Sequence, residues 1–457
     1  MRFLFTTIQF EESDFYGRVA AELERHGNEV AHVCISRRAA ADMQRRGFRS
    51  WCLPDEMAAL GPYDVNGEVA RIERDYPIPS LRDVYRVDPA VRGRSEAWCV
   101  ERTVRHFLAL EKVIAEFDPQ VVVPEVGRET LREAAYLAGM RHGAPVFFLL
   151  NSIFPNPLRL TIDSYHTRLV PDDEVRPLTG PERREVEAFV REFIGRGKPI
   201  LGHRRVKVTL SKLRDFARHI AVSTTQERDN DYLRPSRFVT SYFQQKGREL
   251  AVARLYEDLA ERPFYYFPLH VTDDFKIERA IPHCADQESL IRQVADNLPQ
   301  GYDLVLKEHP RSLGRNSPAM LRRLTRIPNV RLVDPYVNSH ELIRRAEGIV
   351  VISSTVGIEA LMYGKPVLTL GQPYFAGYGV TVDLDSFRHI RTAVPALREF
   401  EPDPERVLEL LHAGMRTTLP GAPSWVSLSD ENARDLGASL DRVGRSLGGR
   451  AELRRLH

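Results

Sequence analysis

Apolar and polar residues follow two alternating patterns in the first third of the chain. Short apolar runs at residues 2–8 and 29–35 predict buried strands, and residues 14–26 between them have the spacing of an amphipathic helix. The same order returns at residues 120–150, where a predicted helix at 130–142 separates two apolar runs. Strand–helix–strand alternation predicts a parallel, doubly wound α/β sheet.

A second alternating series occupies the C-terminal half of the chain. Its apolar runs predict strands, and the periodic polar segments between them predict helices. The predicted strands are 264–269, 302–307, 330–333, 348–353 and 366–370, and the predicted helices are 287–297, 317–326, 339–346 and 356–363. Two such series in one chain predict two Rossmann-like domains that face a cleft.

The segment between the two series differs in character, because its strand signals are weak and its charge is high. Thr179-Gly-Pro-Glu182 is typical of a capping box with an early proline, and it predicts a helix. We therefore expect a helical insert. The expected domains are an N-terminal Rossmann-like domain at 1–170, the insert at 171–262, a C-terminal Rossmann-like domain at 263–425 and a helical tail at 426–457.

Composition agrees with a globular chain, since 43% of its residues are hydrophobic and 28% are charged. We find no run of about 18 apolar residues, so no transmembrane helix is predicted. The four cysteines are scattered and form no CxxC pair, which favours a reducing cytoplasm over a disulfide framework or a zinc site. A formal net charge of +2 gives no indication of nucleic-acid binding.

Residues 203–214 form a local basic stretch. Such a stretch is typical of a solvated helix face. It is also a surface that could contact an anionic membrane.

The first candidate for chemistry lies where the predicted strand 302–307 ends. Lys307, His309 and Pro310 follow one another there, and ligands of open α/β sheets bind beyond the carboxyl ends of strands. A lysine and a histidine at this place can pair with a phosphate or hydrogen-bond a nucleotide. The alternative is a turn in which the proline stops the strand and the histidine packs locally.

The second candidate is the passage from a strand into a helix at Ser353, Ser354 and Thr355. Free backbone N–H groups and small hydroxyls at a helix start predict a phosphate site. Glu359 lies about one turn into the helix, where its carboxylate can accept hydrogen bonds from a ribose or from the backbone. The alternative is that the three hydroxyl residues only cap the helix.

Other polar residues follow predicted strands. His270, Asp273 and Asp274 lie after strand 264–269, and a carboxylate there could act as a nucleophile or general base, or could cap the loop. Glu125 follows an N-terminal strand and is expected to be an acceptor-side base, with an N-cap role as the alternative. Asn151 follows the next strand and is expected to bind acceptor hydroxyls.

The chain resembles the bacterial capsule polysaccharide biosynthesis family, which includes relatives of the Kdo transferases, in four motifs that occur in order: FPLHVTDD, LPQGYDLVLKEHP, PNVRLVDP and VVISSTVGIEALMYGKPVL. The resemblance covers residues 264–371 well and residues 120–160 loosely. It implies a GT-B architecture, with the donor nucleotide on the C-terminal domain and the acceptor on the N-terminal domain.

Similar bacterial sialyl- and Kdo-transferases hold a CMP-activated sugar with a His-Pro motif and a Ser-Ser/Thr motif. These motifs correspond here to His309-Pro310 and to residues 353–355. The family's aspartate corresponds to Asp273 or Asp274, and the resemblance implies Asp274 as the nucleophile of a retaining reaction. His270 stands where some relatives carry glutamine.

The resemblance therefore implies a glycosyltransferase that moves a sugar from a nucleotide donor, CMP-linked and Kdo-like, to a surface polysaccharide or a lipid-linked glycan. It implies no cofactor and no required metal ion. Two alternatives stay open: a CDP-polyol phosphotransferase of the teichoic-acid type, which carries similar motifs, and a non-catalytic glycan-assembly protein. We expect a cytoplasmic protein that a lipid-linked acceptor brings to the inner face of the plasma membrane, with residues 203–214 as the contact.

Overall fold

The computed structural model describes residues 1–197, 214, 221, 230–232, 235–259 and 261–455. The chain divides into two compact units. Unit 1 contains the described residues of 1–165, 208–238 and 418–457, and unit 2 contains those of 166–207 and 239–417. The predicted domain boundaries after residues 170, 262 and 425 remain predictions.

Unit 1 is built on a parallel sheet with the strand order β3-β2-β1-β4. Its strands are β1 Arg2–Thr7, β2 Glu29–Cys34, β3 Arg49–Cys52 and β4 Val121–Val123. The inner strands are nearly continuous apolar runs because helices cover both faces of a parallel sheet. A parallel bridge from Val122 to Val146 leads into β5 Phe147–Asn151, which pairs with β6 Leu158–Ile162 in an antiparallel hairpin.

The first helices of unit 1 lie between these strands along the chain. They are α1 Phe10–Arg25, α2 Arg37–Arg45, α3 Leu53–Ala58, α4 Val65–Asp75, α5 Leu81–Tyr85, α6 Glu96–Phe117 and α7 Thr130–His142. Helix α6 is capped by Ser95, whose side chain accepts a hydrogen bond from the backbone N–H of Trp98. This bond satisfies one of the free donors of the first turn.

Unit 2 contains a fully parallel sheet with the strand order β12-β11-β10-β7-β8-β9. Its strands are β7 Phe264–Pro268, β8 Asp303–Lys307, β9 Val330–Val333, β10 Gly348–Val351, β11 Val367–Thr369 and β12 Val382–Asp383. The central strand β7 lies between β10 and β8, and all five of its residues are buried. The carboxyl ends of β10, β7 and β8 therefore lie side by side.

The remaining helices follow in chain order. They are α8 Gly180–Arg196, α9 Pro235–Val252, α10 Gln287–Asp296, α11 Pro318–Leu324, α12 Ser339–Arg345, α13 Val356–Met362, α14 Ile390–Ala396, α15 Pro404–Thr417 and α16 Asp430–Arg455. Helix α8 begins with the predicted capping box, in which Thr179 and Glu182 satisfy each other's backbone N–H groups. Helix α16 packs against α1 within unit 1.

The predicted α/β class with parallel sheets is confirmed, and helix 130–142 has the predicted bounds. Sequence analysis assigned no element to the region of β3 and α6. Helix α6 buries Arg102 and His106 on its apolar face, and these two polar residues interrupt the periodic pattern that would have predicted it. Strand β6 was also missed, because its five residues are only partly apolar and partly buried.

None of the helices in the described part of the chain is both long and apolar enough to cross a membrane. The basic stretch 203–214, on which the expected membrane contact depends, lies outside the described residues except for Arg214, which is exposed.

Candidate functional site

The candidate site of unit 2 lies at the carboxyl ends of three adjacent strands. Because β10, β7 and β8 are neighbours in that order, the loops after Val351, Pro268 and Lys307 emerge at one edge of the sheet. This is the edge at which ligands of open parallel sheets bind. The structure therefore brings the three motifs of the predicted nucleotide site together.

His270 connects two of these loops. The backbone N–H of Ser353 donates a hydrogen bond of 3.2 Å to His270 Nε2, while the backbone N–H of His270 donates to Gln287 Oε1 at 2.9 Å. Burial lowers the pKa of His270 to about 4, and the charge of Lys276 acts in the same direction. The ring is therefore neutral at pH 7, with Nε2 as an acceptor that fixes the Ser353 turn.

The three hydroxyl residues have different environments. Ser354 Oγ accepts the backbone N–H of Val356 at 3.2 Å, and Thr355 Oγ1 donates to Glu359 Oε1 at 3.1 Å. Ser353 Oγ is buried and has no hydrogen-bond partner among the described residues. A buried hydroxyl without a partner costs free energy unless a ligand or water satisfies it, so Ser353 is the residue of this turn most suited to a ligand.

A glycine allows this turn to pack closely. A Cβ atom placed on Gly357 would lie 2.5 Å from Cζ of Phe375, which is fully buried. No side chain fits at that distance without movement of the phenyl ring. The start of α13, which follows the Ser-Ser-Thr turn, is therefore packed closely against Phe375.

Lys307 ends β8 with its side chain almost entirely buried. Its Nζ donates a hydrogen bond of 2.6 Å to Ser339 Oγ. Burial lowers the pKa of Lys307 to about 8, although the carboxylates of Glu359 and Asp334 act in the opposite direction. Burial also raises the pKa of Glu359, against the effects of Thr355 and Lys307. Lys307 is thus mostly charged at pH 7.

The loop after β8 is held by residues that sequence analysis missed. Glu308 is fully buried, and its carboxylate accepts hydrogen bonds from Tyr256 at 2.7 Å and from Asn316 at 2.6 Å. Asn316 also hydrogen-bonds Thr272 of the neighbouring loop. These partners come from three separate segments, so no local pattern in the sequence indicates them.

His309 follows Glu308 and is half-buried. Its backbone carbonyl accepts both the N–H and the hydroxyl of Ser312, each at 2.7 Å. Pro310 opens the single 3₁₀ turn that these bonds close. The backbone around His309 is therefore fixed at the sheet edge, close enough to His270 that its charge lowers the pKa of that ring.

The two aspartates after β7 have structural partners. Asp273 forms an ion pair of 2.6 Å with Arg315. Asp274 accepts the backbone N–H of Lys276 at 2.9 Å, and its carbonyl accepts the N–H of Ile277 at 3.1 Å. The capping alternative is thus observed for Asp274, and the catalytic role expected for either aspartate remains a prediction.

In unit 1, Glu125 lies just beyond the carboxyl end of β4 and is buried. Its backbone adopts a left-handed conformation with φ of 57°, which is uncommon for a residue other than glycine. Its carboxylate accepts hydrogen bonds from the Tyr16 hydroxyl at 2.5 Å and from Ser424 Oγ at 2.7 Å. The N-cap of α7 is Glu129, so Glu125 does not have the alternative capping role.

Glu125 belongs to a buried carboxylate pair with Glu12. Burial raises the pKa of Glu12 to about 8, and the charge of Glu125 adds to this effect although Arg132 opposes it. Burial acts on Glu125 as well, but Arg132 and hydrogen bonds from Glu12 and Tyr16 leave the pKa of Glu125 below its usual value. At pH 7 the proton therefore resides on Glu12, and Glu125 is ionised.

Asn151, the predicted ligand of acceptor hydroxyls, is the last residue of β5 and pairs with Leu158 of β6. Its side chain is half-buried. Within the described ranges, no three His, Cys, Asp or Glu side chains are grouped so that they could hold a metal ion. Metal independence nevertheless stays a prediction.

Comparison with known proteins gives a partial match that includes the candidate site of unit 2. Residues 206–401 match the family model described as capsule polysaccharide biosynthesis protein. This segment is thus similar in sequence to the capsule polysaccharide biosynthesis family. The match includes every residue discussed at the edge of β10, β7 and β8.

Two curated relatives and one solved structure are similar to parts of the chain. Capsule polysaccharide modification protein LipA of Neisseria meningitidis serogroup A is 33% identical over 94 residues, which are 21% of this chain and 13% of LipA. Protein FixF of Sinorhizobium fredii is 31% identical over 148 residues, 31% of this chain and 34% of FixF. The matches thus span about an eighth of LipA and a third of FixF.

Among solved structures, the Thermosulfurimonas dismutans KpsC β-Kdo 2,4 transferase is 17% identical to this chain. The comparison covers 65% of this chain and 79% of that chain, with a TM-score of 0.38.

Proposed function

We propose that the chain is a glycosyltransferase of the GT-B type, acting in capsule or other surface-polysaccharide assembly. Its donor is a nucleotide sugar, CMP-linked and Kdo-like, and its acceptor is a growing polysaccharide or a lipid-linked glycan. The proposal rests on one observation: the same edge of the sheet carries Lys307, the His309 loop and the Ser353 turn. The match of this segment to the capsule polysaccharide biosynthesis family supports it.

The proposed donor site uses charge and hydroxyl groups for the nucleotide phosphate. Lys307 supplies positive charge from a buried position, where an ionic interaction is stronger than in water. Ser353 Oγ, which lacks a partner among the described residues, donates to a phosphate oxygen. Pro310, Ser354, Thr355 and Glu359 shape the loops that carry these groups. Such donors stabilise the charge that develops on the leaving nucleotide.

The proposed catalytic carboxylates lie in both units. Asp274 is the nucleophile, with Asp273 as the other candidate, and the neutral His270 contacts the donor sugar. Glu125 is the acceptor-side base and is ionised at pH 7, as a base must be. Asn151 binds acceptor hydroxyls. The reaction requires no metal ion and no cofactor.

The proposed setting is the cytoplasm, at the inner face of the plasma membrane. A lipid-linked acceptor would hold the protein there, with residues 203–214 against anionic lipid head groups. The formal charge of that basic stretch supports this part of the proposal.

A product assay tests the proposal. Purified protein is incubated with CMP-Kdo and an oligosaccharide fragment of the source's own surface polysaccharide, and the product is examined by mass spectrometry and ³¹P NMR. Release of CMP with a new glycosidic linkage is the expected result. A phosphodiester product from a CDP-polyol donor would instead indicate phosphotransfer, and turnover of neither donor would contradict the enzymatic proposal.

A further inference from the structure

Unit 1 contains a cavity that the proposed donor site does not use. The cavity has a volume of about 370 Å³ and lies between Ile35, which follows β2, and the first half of α6. Ile35 stands at the carboxyl edge of the sheet of unit 1. The volume is at the lower end of the roughly 300–1,000 Å³ that is usual for small-molecule sites.

The charged groups of the cavity wall neutralise one another. Arg105 forms an ion pair of 2.7 Å with Glu101. Arg102 is buried, and its guanidinium pairs with Asp88 at 3.1 Å and with Asp231 at 3.5 Å. Of these residues, Glu101, Arg102, Arg105 and Asp231 line the cavity, so two positive and two negative charges face it. The wall therefore has no surplus of positive charge for a phosphate.

His106 provides a hydrogen-bond acceptor at this cavity. Its Nδ1 lies 2.7 Å from the carbonyl oxygen of Arg102, and because a carbonyl only accepts, Nδ1 carries the proton and Nε2 has the lone pair. Nε2 is buried without a hydrogen-bond partner among the described residues. Burial, together with the charge of Arg102, lowers the pKa of His106 to about 3, so the ring is neutral at pH 7. A ligand group that satisfies Nε2 must be a donor.

The wall also contains apolar side chains. Its apolar lining residues include Ile35, Met57 and Trp98. A ligand that fits has hydroxyl donors, a partly apolar surface and no net charge. Sugar rings combine these three properties.

We propose that this cavity is a binding subsite for a neutral pyranose ring, one of whose hydroxyl groups donates to His106 Nε2. Binding of the ring follows from the cavity alone. Its description as part of the acceptor glycan rests on the proposed function, which places the acceptor on unit 1.

Saturation-transfer NMR with simple pyranosides tests the subsite without any donor nucleotide. The probes are the methyl glycosides of glucose, galactose, mannose and N-acetylglucosamine, with inorganic phosphate as the anionic competitor. We expect at least one glycoside to bind the full chain and phosphate not to displace it. His106→Phe, which keeps a ring but removes the acceptor, is expected to weaken binding about tenfold, as expected for loss of one buried hydrogen bond.

Matched variants separate binding from folding. His32→Phe makes the same substitution at another buried, neutral histidine of unit 1, which packs against Phe5 and Phe48 and does not line the cavity. Ala58→Phe blocks the cavity from an exposed lining position, and Ala59→Phe changes its exposed neighbour. We expect His32→Phe and Ala59→Phe to bind like the wild type and Ala58→Phe not to bind.

Three results would overturn the subsite: no glycoside binds the wild type, His106→Phe and Ala58→Phe bind as well as their controls, or phosphate displaces the sugar. A failure of this kind leaves nucleotide binding by unit 2 intact and is therefore distinct from a failure of the proposed donor site.

Discussion

At the scale of single residues, the buried cation at the end of β8 would give the proposed donor site a pH dependence. The pKa of Lys307 is about 8, so its ammonium group is charged at pH 7 and loses its proton as the pH rises through that value. We predict that affinity for a nucleotide phosphate falls between about pH 7 and pH 9. Lys307→Met should weaken binding roughly tenfold at pH 7 and remove most of this dependence.

Isothermal titration calorimetry across this pH range measures the effect. Lys246→Met is the control, because Lys246 lies on the exposed face of α9, paired with Glu249. An affinity that stays constant with pH in the wild type would show that Lys307 does not contact the phosphate.

A second residue-scale prediction concerns the carboxylate pair of unit 1. The folded-state pKa of Glu12 is about 8, above its ordinary value of 4.5, so its contribution to stability is fully present below about pH 4.5 and is lost as the pH rises through 8. Glu12→Gln mimics the protonated acid. Between pH 5 and pH 8, the free energy of unfolding of this variant should change by at least about 1.4 kcal/mol less than that of the wild type. This difference is the equivalent of one pKa unit.

Urea unfolding at several pH values measures this difference. Glu24→Gln, on the exposed side of the same helix α1, should retain the dependence of the wild type. Parallel curves for Glu12→Gln and the wild type would contradict the assignment of the proton to Glu12.

At the scale of elements, the packing of α13 depends on one glycine. Gly357→Ala would place a methyl group 2.5 Å from Phe375 Cζ. Overpacking of this kind costs about 1–3 kcal/mol, and Phe375→Leu in the same chain should recover part of the loss. Gly195→Ala in α8 is the control, because a Cβ there meets nothing within 4 Å and alanine favours a helix. An equal fall in the melting temperatures of both alanine variants would contradict the contact.

The elements themselves were largely predictable from the sequence. Each strand of the unit 2 sheet from β7 to β11 begins and ends within two residues of its prediction, because buried parallel strands are short apolar runs with clear ends. Helix α6 was not predicted because the charge of Arg102 on its buried face is neutralised by Asp88 and Asp231, which lie outside the helix. A local pattern carries no information about such partners.

At the scale of the whole molecule, the sequence indicated which loops carry polar groups but not which groups meet. The strand order places β7 next to β10, and this neighbourhood brings His270 close enough to accept the Ser353 N–H across 83 positions. In the same way Tyr16 and Glu125 meet across 109 positions. The positions of the candidate residues at strand ends were therefore predictable one by one, whereas their supporting partners required the tertiary structure.

The central claim is that unit 2 binds a nucleotide at the edge formed by the His309 and Ser353 loops. Thermal unfolding with CMP, CDP, UDP, GDP and ADP tests it most directly, because a ligand that binds only the folded state raises the melting temperature by mass action. His309→Ala is compared with His389→Ala, an exposed histidine of the same unit that pairs with Asp385. We predict selective stabilisation by CMP in the wild type and in His389→Ala, with loss of the shift in His309→Ala. No shift with any nucleotide, or an equal shift in both variants, would contradict the claim.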